Sequence, residues 1–158
     1  MAPDAYDITV IGSEPRGNYN RILLSPLLSA EKTLDEIMLN KPEWYAANGI
    51  TLHAGLTVER IDRARCVAVA ANGLEIPYDR LLLATGSNPF MLPLPGADLP
   101  GVVTYRDVED VNSMIEASTR GGHAVVIGGG LLGLEAAYGL QQRGMDVTVV
   151  HLLDSLME

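Results

Sequence analysis

The chain has 158 residues, enough for one domain or two small ones. With 47% hydrophobic and 20% charged residues it reads as a soluble globular protein, and its net charge of −9 argues against nonspecific nucleic-acid binding and against a basic membrane-facing patch. One cysteine excludes an internal disulfide and a Cys-x-x-Cys pair; no apolar run reaches transmembrane length, and the opening MAPDAYDI has no signal-peptide pattern, so a cytoplasmic location is expected.

Residues 7–12 (DITVIG) have a strand pattern that closely resembles residues 145–150 (MDVTVV) near the other end. This suggests two copies of one kind of second strand, the earlier copy lacking its own first strand, glycine loop and helix. A polar loop follows, then the apolar stretch 23–28, interrupted by Pro26. Thr33 and Glu36 have the spacing of a capping box and open a short helix. Pro42 starts another helix, which carries Trp44 and Tyr45 and closes at Gly49.

From Ile50 the pattern changes to strands. Residues 58–62, 66–71 and 74–78 read as a small antiparallel β-meander, with Asn72-Gly73 as the hairpin turn and Cys66 as a packed strand residue. Residues 81–84 (LLLA) read as a further, fully apolar strand ending at Thr85-Gly86. Residues 88–101 hold four prolines and two glycines and are expected to be an extended linker. Asp107 caps a helix with Val108, Val111 and Ile115 on one face.

The most informative stretch is 123–151. The apolar run 124–127 is a strand pattern for a parallel sheet covered on both faces. Gly128, Gly130 and Gly133 then match Gly-x-Gly-x-x-Gly. Residues 131–142 are helical in period, with Leu132, Ala136 and Leu140 on one face. Gly144 stops the helix, and residues 147–150 form the second strand. Set between strand and helix within about 30 residues, the motif is a dinucleotide-binding fingerprint. Its first glycine allows the turn, the second lets a pyrophosphate approach the backbone, and the third lets helix and strand pack closely. The helix start, Leu131 and Leu132 with Gly133, offers N–H groups to phosphate. An acid about 20 residues further on would hold a ribose 2′-hydroxyl. His151 stands at that place, with Asp154 three residues later, so a choice between NADH and NADPH is not legible.

Three segments together, 7–28 (DITVIGSEPRGNYNRILLSPLL), 78–87 (YDRLLLATGS) and 128–137 (GGGLLGLEAA), carry a family resemblance. The chain resembles the FAD-dependent pyridine-nucleotide oxidoreductases related to rubredoxin and ferredoxin reductases. Among these it resembles the N-terminal part of the NAD(P)H nitrite reductase large subunit. The resemblance implies an α/β fold with Rossmann-like doubly wound units, one FAD-type and one NAD-type, both incomplete, beside the small antiparallel meander. It implies a partial FAD domain over residues 1–101 and a partial NAD(P)H domain over 102–158.

By the same resemblance Glu14 would bind the FAD ribose, Arg21 would lie near the flavin pyrophosphate, and Val58 would meet the adenine through its backbone. Ala84, Thr85 and Gly86 would form a second FAD contact, and Glu135 would lie near nicotinamide and flavin. No general acid, base or nucleophile is evident. The first FAD glycine loop and the later ribityl-binding segment are not in the sequence. Iron–sulfur and sirohaem groups would belong to parts outside it, since one cysteine cannot ligate a four-cysteine cluster. The expected role is therefore a fragment of an electron-input module using FAD and NAD(P)H, inactive by itself. Its partners would be small-molecule cofactors, with neither nucleic acid nor membrane; self-association, or association with the remainder of the enzyme, is open. The competing readings are a non-catalytic nucleotide-binding or association module, and a piece of a rubredoxin or ferredoxin reductase-like flavoprotein.

Overall fold

The computed structural model describes residues 5–157. In chain order its elements are β1 (Ile8–Gly12), a 3-10 turn (Arg21–Leu23), α1 (Leu24–Leu28), α2 (Leu34–Ile37), α3 (Pro42–Ala47), β2 (Ile50–Ala54), β3 (Val58–Asp62), β4 (Val67–Ala70), β5 (Glu75–Pro77), α4 (Val108–Thr119), β6 (His123–Ile127), α5 (Leu131–Gln142) and β7 (Asp146–Val150). They fall into two compact units, 1–19 with 38–86, and 20–37 with 87–158.

In the first unit β1 and β2 pair in parallel, Ile8 opposite Ile50 and Gly12 opposite Ala54. The connection between them ends in α3. Pro42 sits in its first turn, where a missing N–H is no loss, and Gly49 leaves it at φ 66°. Tyr45 is buried and bonds Asn18 twice, accepting from its backbone N–H at 3.0 Å and donating to its side chain. The meander β3–β4–β5 is antiparallel throughout, with Val67, Ala68 and Ala70 buried. Asn72-Gly73 makes its second turn, with Gly73 at φ 83° donating to the Ala70 carbonyl at 2.9 Å.

In the second unit Asp107 caps α4 in a reciprocal capping box with Asp110. Val108 and Val111 are fully buried. β6 and β7 pair in parallel, His123 opposite Asp146, and α5 is the crossover between them. α1 is short and carries Pro26 inside it, yet it is firmly seated. A Cβ on Gly139 of α5 would lie 2.6 Å from Leu28, which is itself fully buried. Arg143, at the end of α5, donates to the Leu27 carbonyl at 3.2 Å and to the Leu28 carbonyl. That clip satisfies carbonyls that a helix end leaves without an intrahelical partner.

Four expectations are corrected. Residues 81–84 form no strand: they are irregular, and Leu82 is 87% exposed. An apolar run becomes a strand only with a neighbour to pair with, and none of the described strands pairs with it. Cys66 is an exposed turn residue at φ 53°, because the turn after β3 closes when Asp62 accepts the Arg65 N–H at 3.1 Å. The inward face of α5 is Ala136, Gly139 and Leu140, whereas Leu132 is exposed. β6 and β7 are covered on one face only, and Val125, Ile127 and Val150 are exposed.

Candidate functional site

The site is built on the turn between β6 and α5. Gly128 has φ 123°, a conformation that side-chain-bearing residues avoid, and its N–H is held by the Val150 carbonyl at 2.8 Å. A Cβ on Gly133 would lie 2.0 Å from the Gly128 carbonyl oxygen, so the third glycine is what allows α5 to start directly against β6. Gly130 is the helix N-cap, in extended conformation, and a Cβ built there meets nothing within 4 Å. No side chain caps the helix. The N–H groups of Leu131, Leu132 and Gly133 thus precede the first intrahelical bond, which Leu134 makes to the Gly130 carbonyl at 3.0 Å. Open space, a bare backbone and first-turn N–H groups together fit a dinucleotide pyrophosphate.

His151 closes one side of the turn. Its Nδ1 accepts the Gly129 N–H at 3.0 Å, which leaves the ring proton on Nε2, a buried atom with no partner among the described residues. Met157 donates its N–H to the Gly129 carbonyl at 3.0 Å. The histidine therefore shapes the loop, a role that spacing alone does not indicate. Asp154, the alternative acid, is exposed.

One turn into α5, Glu135 accepts a hydrogen bond from Ser25 at 2.5 Å, and Tyr105 donates to Ser25 at 2.8 Å. Burial raises the Tyr105 phenol above its ordinary pKa; the Glu135 charge adds to this and the bond to Ser25 opposes it. Ser25 and Glu135 line an open cavity of about 190 Å³ together with Pro26, Ser29, Glu31 and Tyr138. Arg21 donates to the Arg106 carbonyl at 3.0 Å, and Arg106 to the Ser87 carbonyl at 3.2 Å.

In the first unit, Glu14 lies just beyond the carboxyl end of β1, where doubly wound sheets take their ligands. Tyr19 donates to its carboxylate at 2.6 Å, Arg16 lies 3.9 Å from the same oxygen, and the Glu14 carbonyl accepts the Gly55 N–H at 2.8 Å. Val58 opens β3 opposite Ala70. Ala84, Thr85 and Gly86 are exposed, with Gly86 at φ 68°. Among the described residues no group of histidine, cysteine and acidic side chains could hold a metal ion, and no helix is long and apolar enough to cross a membrane.

A parallel strand pair joined through a glycine turn and a helix, with space over the second glycine, defines a dinucleotide-binding protein of the Rossmann-like α/β class. The chain belongs to the pyridine nucleotide-disulphide oxidoreductase family, whose model matches residues 1–158. It is 49% identical over its whole length to the nitrite reductase [NAD(P)H] of Bacillus subtilis (strain 168), of which it covers 20%. It is 47% identical over 153 residues to the assimilatory nitrate reductase electron transfer subunit of the same organism, again covering 20%. Among solved structures it is similar to a ferredoxin reductase from Rhodopseudomonas palustris, with TM-score 0.87 and 30% identity over 97% of this chain and 38% of that one. It is also similar to the NADH:rubredoxin oxidoreductase of Clostridium acetobutylicum, with TM-score 0.86 and 28% identity over 94% and 39%. The chain thus spans about a fifth of the length of the curated relatives named here.

Proposed function

We propose that the chain belongs to the electron-input module of a cytoplasmic FAD-dependent NAD(P)H oxidoreductase of the nitrite reductase type. Residues 1–101 would contribute to the FAD side and 102–158 to the NAD(P)H side. The observation that carries this reading is the open backbone at Gly130, between a left-handed Gly128 and a Gly133 in contact distance of it. FAD held by the module would supply hydride-accepting and one-electron-donating chemistry between NAD(P)H and an acceptor, which on this reading is a nitrite-reducing metal centre outside this chain.

The chain's own residues would bind and orient. The first-turn N–H groups of α5 hold the pyrophosphate, and their partial positive charge favours it. His151 keeps the Gly129 peptide turned into the loop. Glu135 lies toward the nicotinamide end. By the family resemblance Glu14 would accept ribose hydroxyls of FAD, Val58 with Ala84, Thr85 and Gly86 would contribute backbone contacts to it, and Arg21 would serve its phosphates. The sequence similarity to a nitrite reductase at 49% identity supports this choice over a rubredoxin reductase-like role.

Absorbance provides the test. A full-length protein carrying this chain is expected to show a flavin spectrum that NADH or NADPH bleaches. The 158 residues expressed alone contain one Gly-x-Gly-x-x-Gly loop, used for the nicotinamide cofactor, and are expected to retain little or no FAD. A full-length protein without flavin would favour a non-catalytic nucleotide-binding module.

A further inference from the structure

Ser25, Tyr105 and Glu135 come from separate stretches of chain and meet in one hydrogen-bonded series. Tyr105 donates to Ser25 Oγ, and Ser25 donates to Glu135 Oε2. Each member is held in place by packing or hydrogen bonds on its neighbours. Leu28 packs over Gly139, and this fixes how α1 lies on α5. Ser25 stands three residues before Leu28, and Glu135 four before Gly139, so the same seating brings the two side chains opposite each other one helical turn away. Arg143 locks that register at the far end. Tyr105 is fixed from both sides by Asp110, whose carboxylate accepts from the Thr104 hydroxyl at 2.9 Å and from the Arg106 N–H at 2.7 Å.

We propose that Tyr105 and Ser25 are positioning residues for Glu135, a donor series from phenol through hydroxyl to carboxylate that holds Glu135 at the cavity between α1 and α5 for the nicotinamide end of the cofactor. The proposal rests on the assignment of Glu135 to the nicotinamide side. The series runs one way. The Tyr105 phenol, pushed above its ordinary pKa chiefly by burial, stays protonated at neutral pH and so remains a donor. A half-buried carboxylate without such a donor turns toward water, because burying charge unpaired is costly. One Glu135 oxygen is engaged by Ser25, and a carboxylate has a second with which to accept from a ligand N–H.

The experiment uses the full-length protein with Ser25→Ala, Ser25→Thr, Tyr105→Phe and Glu135→Gln, and the Tyr105→Phe/Glu135→Gln double variant. NAD+ binding is measured by calorimetry, and Tyr105 ionisation by NMR of ring-labelled tyrosine. Ser25→Ala and Tyr105→Phe should each weaken NAD+ binding by roughly three- to tenfold, the scale of one hydrogen bond to a charged group partly transmitted. Ser25→Thr keeps the hydroxyl and should restore binding. In the Glu135→Gln background Tyr105→Phe should add less than about twofold, since residues acting through one another are not additive. Glu135→Gln should shift Tyr105 ionisation to lower pH by removing a neighbouring negative charge. An undiminished Tyr105→Phe effect without Glu135, or harmless Ser25→Ala and Tyr105→Phe beside a damaging Glu135→Gln, would overturn the positioning role and leave the cofactor assignment standing. Unchanged NAD+ affinity in Glu135→Gln would overturn the assignment of Glu135 itself. In that case an unmoved Tyr105 signal would overturn the series as well.

Discussion

Gly133 faces Gly128 so closely that a single added carbon would sit 2.0 Å from the Gly128 carbonyl oxygen. The obstacle is backbone on both sides, at the joint between β6 and α5, and it cannot swing away as a flexible side chain would. Gly133→Ala should therefore destabilise the fold by about 1–3 kcal/mol or more, the usual range for overpacking. Gly130→Ala, with no atom within 4 Å and φ −80°, should cost little. Denaturant unfolding of the two variants is the measurement. Equal stability would mean that α5 is not seated as described.

Cys66 is exposed and sits at φ 53°, where a side chain is a burden. Cys66→Gly should stabilise the chain by up to about 1 kcal/mol. Cys66→Ser should leave electron transfer in the full-length protein unchanged. A stability loss in Cys66→Gly, or lost activity in a folded Cys66→Ser protein, would contradict the turn assignment.

The meander should be sensitive to acid. The Arg65 backbone N–H, and then the Arg60 and Arg65 side chains, hold the Asp62 carboxyl below its ordinary value. The Arg65 guanidinium does the same for Glu75, with which it pairs. A carboxyl whose folded-state pKa is depressed stabilises the fold fully above the unfolded value and loses that contribution as pH falls through the folded one. Amide-exchange protection of β3–β5 should drop on acidification below about pH 4, and Arg65→Ala should flatten that dependence. Identical pH profiles for the two proteins would refute the pairing.

How much of this was legible in the sequence depended on distance along the chain. β6, α5 and β7 follow from a glycine spacing and two apolar runs within 29 residues, and the structure places them as expected. Asp107 as a cap and Asn72-Gly73 as a turn are equally local. Cys66 reads as part of a strand run in the sequence, but the turn there depends on where Asp62 sends its side chain. Residues 81–84 have strand composition, but pairing is a property of the neighbours. Ser25, Tyr105 and Glu135 lie up to 110 residues apart, and only the seating of Leu28 on Gly139 brings them together. His151 stands in the sequence where an acid would be expected to hold a ribose hydroxyl, yet its bond to Gly129 has no spacing signature.

The measurement that bears most directly on the glycine loop as the nicotinamide cofactor site is NADH titration of flavin reduction in the full-length Gly130→Asp protein. Aspartate at an N-cap favours the helix, so the fold should survive. Its side chain would fill the space over the loop, and its charge would oppose the phosphates. Reversing a favourable charge contact at a helix start costs about 0.3–2 kcal/mol, and steric exclusion adds to it. The NADH constant should rise at least about tenfold, equivalent to ~1.4 kcal/mol, with flavin content and circular dichroism unchanged. A folded, flavin-loaded Gly130→Asp protein with normal NADH affinity would contradict the assignment.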